Sequence, residues 1–107
     1  MSGKEHPHTL TSMSNLALAL SNQGKYAEAE KMHQETLALR EKVSGKEHPH
    51  TLTSMNNLAW TLRDQGKYAE AISTMQQCSQ LRKQILGSQH PYTKGSLGAL
   101  REWELEA

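Results

Sequence analysis

The sequence Gln23-Gly24-Lys25-Tyr26-Ala27-Glu28-Ala29 decides the fold, and it returns unchanged 42 positions later as Gln65-Gly66-Lys67-Tyr68-Ala69-Glu70-Ala71. Each copy follows a run with apolar residues at helical spacing and opens another such run. Glycine supplies the backbone freedom that a tight turn needs, and it also breaks the preceding helix. The tyrosine is large enough to wedge between the two helices that the turn joins. The stretch therefore predicts the hinge of a helical hairpin.

The hinge is part of a repeat that organises the whole chain. Aligning residues 3–42 with residues 45–84 gives about 25 identical positions among 40. A third start, Gly87–Thr93, keeps the glycine, the His-Pro pair and the threonine, and about half a unit follows. Because internal repetition at this period is typical of solenoids, the chain is expected to be a stack of hairpins. The repeat divides it into unit 1 (1–44), unit 2 (45–86) and a C-terminal half-unit (87–107).

Each full unit has the pattern of two helices. Pro7 and Pro49 suit the first position of a helix, where a missing N–H has no consequence and φ is already set. Apolar residues then recur at spacings of three and four, which places them on one face. The short connections favour antiparallel neighbours. The pattern predicts an all-α solenoid of αα-hairpins with a C-terminal capping helix, its helices at 7–22, 25–43, 49–64, 67–86 and 91–105.

Composition and charge exclude several classes of function. The net charge is +1, and Lys and Arg are scattered among Glu, so neither a nucleic acid nor an anionic membrane is an expected partner. The longest apolar run, 16–20, is too short to span a membrane, and the N-terminus lacks a signal-peptide pattern. Cys78 is the only cysteine, which precludes an internal disulfide and favours a reducing compartment. A cytoplasmic protein is expected.

No motif in the chain predicts catalysis or a cofactor. The sequence shows no glycine-rich phosphate loop, no carboxylates paired at a pocket and no nucleophile at a suitable spacing from a base. The histidines at 6, 8, 48, 50 and 90 recur because the unit recurs, and such pairs without Cys or carboxylate partners are weak zinc ligands. Their His-Pro sequence instead indicates a junction between a loop and a helix. Neither an enzyme nor a metal site is expected.

Both units resemble the tetratricopeptide repeat. Its signature has large and small apolar residues in the first helix, Gly-x-Tyr at the turn and small residues in the second helix. The matching positions are Met13, Leu16, Ala17, Leu20, Gly24, Tyr26, Ala29 and Thr36, and Met55, Leu58, Ala59, Leu62, Gly66, Tyr68, Ala71 and Cys78. The usual period is about 34 residues. The longer period, the His-Pro opening and Asn-Leu-Ala in the first helix resemble kinesin light chain repeats and the repeat arrays of NB-ARC and NACHT signalling ATPases.

The resemblance implies a non-catalytic module that binds a peptide or partner segment in a concave groove lined by first helices. The groove positions carried over by alignment are Thr11, Ser14, Asn15, Leu18 and Asn22 in unit 1, and Thr53, Asn56, Asn57, Trp60, Arg63 and Asp64 in unit 2. Asn15 and Asn57 recur in register, and their amides could grip a peptide backbone or only bridge neighbouring helices. Trp60 is either an interface anchor or packs against the next helix near Leu97. Ser, Asn and Thr occupy the positions of a carboxylate clamp, so a chaperone-tail ligand is not expected.

The alternative is a structural module that stacks against other copies or the rest of a longer array. Exposure of Leu10, Met13 or Leu16 on an uncapped N-terminal face would then favour a homo-oligomer. The C-terminal helix has Arg101 and Glu104 where earlier first helices have Ala and Leu, and this polar face is typical of a cap. His33 is expected to be a half-buried packing residue.

Overall fold

The computed structural model describes residues 7–107, and this part of the chain is five α-helices without a strand. The predicted all-α hairpin solenoid is confirmed, with each predicted helix end within one residue of the observed one. Helices α2 and α4 begin one residue later than predicted, because Lys25 and Lys67 have non-helical backbone angles. The helices are α1 (Pro7–Asn22), α2 (Tyr26–Ser44), α3 (Pro49–Asp64), α4 (Tyr68–Leu86) and α5 (Pro91–Glu106).

The glycine hinge closes α1 and α3 in the same way. Gly24 and Gly66 have φ of 80° and 82°, a region that side chains disfavour. After α1, the N–H of Lys25 donates to the carbonyl of Leu20 at 2.8 Å, and the N–H of Gly24 donates to the carbonyl of Ser21 at 3.0 Å. These two bonds form a Schellman motif, which satisfies the last carbonyls of the helix and turns the chain within three residues.

The helices stack in chain order, and each one packs mainly against its neighbours in sequence. Connections of three residues (23–25, 65–67) alternate with connections of four (45–48, 87–90). The resulting body measures 41 × 32 × 18 Å. Because α1, α3 and α5 are the first helices of successive units, they lie along one side of the stack. We call this side the first-helix face.

The core is thickest between α3 and α4, where every apolar position of the repeat has a neighbour. Leu52, Met75 and Cys78 are fully buried there. Ala59 and Ala71 are also fully buried, and their small side chains let the two helices approach closely. The lone Cys78 thus fills a small apolar position, as expected, and burial raises the pKa of its thiol above the ordinary value.

Helix α5 is held by a residue that the repeat pattern did not reveal. Trp103 is fully buried, although it stands at the repeat position of Thr61 and Ala19. The helix end is also tied to α3 and α4, since Arg63 lies 3.3 Å from a carboxylate oxygen of Glu106 and the Tyr68 hydroxyl donates to Glu106 at 3.1 Å. The polar face of α5 is exposed at Arg101 and Glu104.

Of the alternatives for an exposed apolar residue on α1, Leu16 is exposed and Leu10 is not. Leu16 is 51% exposed, whereas its repeat counterpart Leu58 is only 7% exposed. Leu10, however, is buried, because it lies on the side of α1 that packs against α2. The prediction placed both leucines on one apolar face, but they lie on different sides of the helix.

His33 is fully buried, so the expectation of a half-buried residue is wrong. Neither ring nitrogen has a hydrogen-bond partner among the described residues. Burial lowers the pKa of the imidazole below its ordinary value, because the charged form would lose its hydration. The same position in unit 2 is Met75, which is also fully buried. Unit 1 therefore holds a polar ring where the repeat accommodates an apolar side chain.

We predict that His33→Met stabilises the protein and removes part of its sensitivity to acid. An unpaired buried polar group destabilises a fold by about 1–3 kcal/mol, which is the gain expected at neutral pH. Below a pH of about 6.5 the unfolded chain takes up a proton at His33 that the folded chain resists. The parent should therefore lose up to about 1.4 kcal/mol per pH unit that the variant keeps. Urea unfolding at pH 7.5 and pH 5.5 measures both effects.

The matched control is Met75→His, which places the same ring at the same position of unit 2. It should lower the free energy of unfolding and add a second loss below pH 6.5. Equal pH dependence of unfolding in the parent and in His33→Met would contradict the assignment.

Candidate functional site

Two clefts lie on the first-helix face. The first cleft, between α1 and α3, has a volume of about 220 Å³. Its walls combine four hydroxyls, two amides, one leucine and one imidazole with one arginine. The lining residues are Thr11, Ser14, Asn15, Leu18, Arg40, His50, Thr53, Ser54 and Asn57. No carboxylate is among them.

Arg40 is the charged group of the first cleft, and it comes from α2 rather than from a first helix. Its side chain is only 7% exposed, and Nε is buried without a partner. The guanidinium makes no hydrogen bond or ion pair with any residue in the described range. Burial lowers its pKa below the ordinary value. Nε is thus a buried donor without an acceptor, which is unfavourable.

The second cleft, between α3 and α5, has a volume of about 390 Å³. It is the repeat equivalent of the first, but two aromatic residues replace a leucine and a histidine. The lining residues are Thr53, Asn56, Trp60, Arg82, Pro91, Tyr92 and Gly95. No carboxylate lines this cleft either.

Arg82 stands where Arg40 stands in unit 1, yet its guanidinium is well bound. Nη1 donates to Ser96 Oγ at 2.7 Å and to the carbonyl of Tyr92 at 3.3 Å. A weaker contact of 3.5 Å reaches Asn56 Oδ1, and the guanidinium lies 5.3 Å from the centre of the Tyr92 ring. The two arginines are therefore equally buried but differ in whether neighbouring oxygens satisfy them.

Two replacements in the repeat explain this difference. Asn56 is replaced by Ser14 in the first cleft, and Tyr92 is replaced by His50. Ser54 is the counterpart of Ser96, but it makes no hydrogen bond with Arg40 in the described part of the chain. Arg40 in the first cleft thus has a donor without an acceptor, whereas Arg82 in the second cleft donates to neighbouring oxygens.

Trp60 packs against the next helix and also remains partly exposed. Its side chain remains 40% exposed at the second cleft. Its ring also packs edge-on against Trp103, with centroids 5.0 Å apart and an angle of 86°. The neighbour on α5 is thus Trp103 rather than the expected Leu97, which lies with Leu100 in a different cavity, against α4.

The structure brings eight of the eleven expected groove residues to the two clefts. Asn15 and Asn57 both line the first cleft, and neither side chain bonds another residue of the described range. Asn22, Arg63 and Asp64 line neither cleft. Arg63 instead contacts Asp64 and Glu106 near the C-terminal end of α3.

Arg40 and Arg82 were missed as groove residues because sequence reasoning looked only at first helices. Their signal was nevertheless present. Both units carry the same arginine at the apolar spacing of the second helix. A charged side chain that recurs at an apolar position indicates a specific contact there. The absence of Lys and Arg from the carboxylate-clamp positions of the first helices therefore did not mean an uncharged groove.

The histidines act as helix caps. His48 Nδ1 accepts the N–H of His50 at 3.1 Å, and His90 Nδ1 accepts the N–H of Tyr92 at 3.1 Å. His6 lies outside the described residues. Within 7–107 no group of three or more potential metal ligands converges. No helix of that range is long and apolar enough to cross a membrane.

Comparison with known proteins gives a family and a fold. The family model described as tetratricopeptide repeat matches residues 8–84. A search of curated proteins finds no significant match. A crystal structure of Podosopora anserina kinesin light chain nearly identical TPR-like repeats has a TM-score of 0.88 at 29% identity, covering 96% of this chain and 48% of that one. A second crystal structure of those repeats, with one residue substituted, has a TM-score of 0.82 at 29% identity, covering 95% and 48%.

The chain thus spans about half the length of the solved structures that it matches. Their description agrees with the kinesin light chain-like variety that the 42-residue period and the His-Pro opening predict. Tetratricopeptide repeats are typically non-catalytic and generally bind protein partners. From the match over most of its length and from its hairpin architecture, the chain belongs to the tetratricopeptide repeat family.

Proposed function

We propose that the first-helix face binds an extended segment of a partner protein that runs across both clefts. The observation that carries this proposal is the first cleft, where Asn15 and Asn57 offer unbonded amides on opposite walls. An amide can donate to a peptide carbonyl and accept from a peptide N–H, so two of them hold a backbone without reading its side chains. No enzymatic activity and a cytoplasmic location are parts of the same proposal.

Arg40 supports a negatively charged group in that segment. A buried guanidinium without an acceptor gains most from a carboxylate, because charge-assisted hydrogen bonds are about twice as strong as neutral ones. The hydroxyls of Thr11 and Ser14 lie in the same cleft and could bond the second carboxylate oxygen. The ligand of the first cleft is thus a peptide with an aspartate or glutamate side chain.

The proposal is tested with a library of capped octapeptides that carry one glutamate among varied neighbours. Binding is followed by the NMR shifts of the backbone amides of the residues that line the first cleft, which the variants retain. We expect saturable shifts for a subset of peptides, and loss of binding in the double variant Asn15→Ala, Asn57→Ala with helicity retained. Absence of saturable shifts for every peptide would refute the groove.

The role of Arg40 is measured by a double-mutant cycle. For a peptide that binds, Arg40→Gln and replacement of the peptide glutamate by glutamine should each weaken affinity about tenfold or more. The two changes together should weaken it little further, since both remove the same contact. Additive losses would show that the carboxylate binds elsewhere.

A second candidate is association with other copies through the outer side of α1. The positions Thr51, Ser54, Leu58 and Thr61 of α3 are buried, whereas their counterparts in α1 are more accessible, and Leu16 is 51% exposed. An exposed leucine at a position that the repeat buries favours coverage by another helix. We propose that α5 does not take part, because Lys94, Arg101 and Glu104 are exposed where α3 has Leu52, Ala59 and Leu62.

This candidate predicts self-association that Leu16→Lys abolishes. Light scattering should report a mass that rises above the monomer value of 12.0 kDa with protein concentration, and the variant should stay at that value. Leu105→Lys is the matched control, since Leu105 is 85% exposed but lies outside this surface. A parent protein that is monomeric at all concentrations would exclude the candidate.

A further inference from the structure

We infer that the second cleft binds a proline-rich stretch in the polyproline II conformation. This inference rests on the proposed peptide groove and names the chemistry of its second half. It starts from the two aromatic walls, Trp60 from α3 and Tyr92 from α5, which are 40% and 60% exposed. Proline-rich segments typically dock in grooves lined by accessible aromatic rings, and both of these rings line the second cleft.

Neighbouring groups fix both rings. Trp60 is held edge-on by the buried Trp103 at 5.0 Å. Tyr92 lies 5.0 Å from the ring of His90 and 5.3 Å from the guanidinium of Arg82. A surface ordered in this way loses little conformational freedom when a ligand arrives. The ligand should be stiff for the same reason, and a polyproline II helix is the stiffest of the extended peptide conformations.

The polar groups of the cleft offer mainly donors. Asn56 Oδ1 already accepts from Arg82, which leaves its amide N–H groups for a ligand. The indole N–H of Trp60 and the hydroxyl of Tyr92 have no hydrogen-bond partner in the described range. A proline-rich segment has the matching character, because its carbonyls are free acceptors and proline has no N–H to satisfy.

The floor of the cleft lets a backbone approach. Gly95 has no side chain, and a Cβ placed on it would meet no atom within 4 Å. Pro91 adds an apolar, rigid edge beside Tyr92. The guanidinium of Arg82 already donates to neutral oxygens of the protein. This cleft therefore favours an acidic ligand less than the first cleft does.

The first cleft serves as an internal control for this chemistry. Leu18 and His50 stand there in place of Trp60 and Tyr92. Each is thus a residue that already occurs at the same position of the repeat. Trp60→Leu and Tyr92→His each restore a residue that this repeat accepts at the same position. Loss of binding without loss of fold is therefore a realistic outcome for these variants.

The test is titration of the full chain with capped octaproline, followed by the indole N–H resonances of Trp60 and Trp103. Calorimetry measures the affinities, including that of the variant without an indole at position 60. We expect a saturable shift of the Trp60 signal. The mirror-image peptide of D-proline, which forms the opposite helix, should bind at least about tenfold more weakly. Trp60→Leu and Tyr92→His should each weaken binding about tenfold or more, with unchanged helicity by circular dichroism.

Leu105→Lys, at a residue that lines neither cleft, should leave octaproline binding unchanged. If L-octaproline produces no saturable shift, or binds no better than its mirror image, the inference is wrong, and binding of glutamate peptides at Asn15 and Asn57 would still support the groove. Equal affinity of octaproline for the parent and for both ring variants would place the ligand elsewhere and also overturn it.

Discussion

The backbone turn at each glycine hinge is the constraint on which the other contacts depend. At Gly24 and Gly66 a positive φ lets two backbone hydrogen bonds close the preceding helix, so the second helix of each unit starts after only three residues. A residue with a Cβ would be strained in this conformation. Because the turn is short, the second helix must return along the first one, and the small residues Ala17 and Ala59 permit close packing there.

The stacking of units follows from these hairpins. As a result, identical residues at the same repeat position can differ in how far they are buried. Leu16 and Leu58 occupy the same repeat position, yet only Leu58 has a helix on both sides. In a solenoid each repeat is stabilised by its neighbours as well as by its own contacts. The sequence of a unit therefore determines its hairpin, whereas its place in the stack determines which of its surfaces remain accessible.

Much of the fold could be predicted from the sequence because its signals are local. The Gly-x-Tyr turns, the His-Pro junctions and the apolar spacing locate all five helices to within about a residue at each end. The burial of His33 and Trp103 could not be predicted in this way, since it depends on helices distant in sequence. Their repeat counterparts, Met75 and Thr61, are buried as well, so the repeat keeps the buried position while the type of side chain changes.

The candidate site was predictable in position and less so in chemistry. Alignment located the Asn15, Asn57 and Trp60 side chains on the first-helix face, because the family resemblance identifies which helix lines the groove. It overlooked Arg40 and Arg82, which reach the same face from the second helices. A long side chain can cross the width of a helix, so helix assignment alone does not establish which cleft a charged group enters.

The difference between the two arginines supports the proposal that the two clefts have different binding chemistries. A buried guanidinium must find acceptors or remain destabilising, and the repeat supplies the same buried position twice. Next to Arg82, the Tyr92 carbonyl and the Asn56 amide oxygen accept hydrogen bonds from the guanidinium. Tyr92 also places an aromatic ring at the cleft. Next to Arg40, His50 and Ser14 accept no hydrogen bond from the guanidinium, and neither is a tyrosine. Arg40 therefore has no acceptor among these neighbours. Changes of a few residues around one repeated arginine thus support the proposal that one cleft binds a carboxylate and the other a proline-rich segment.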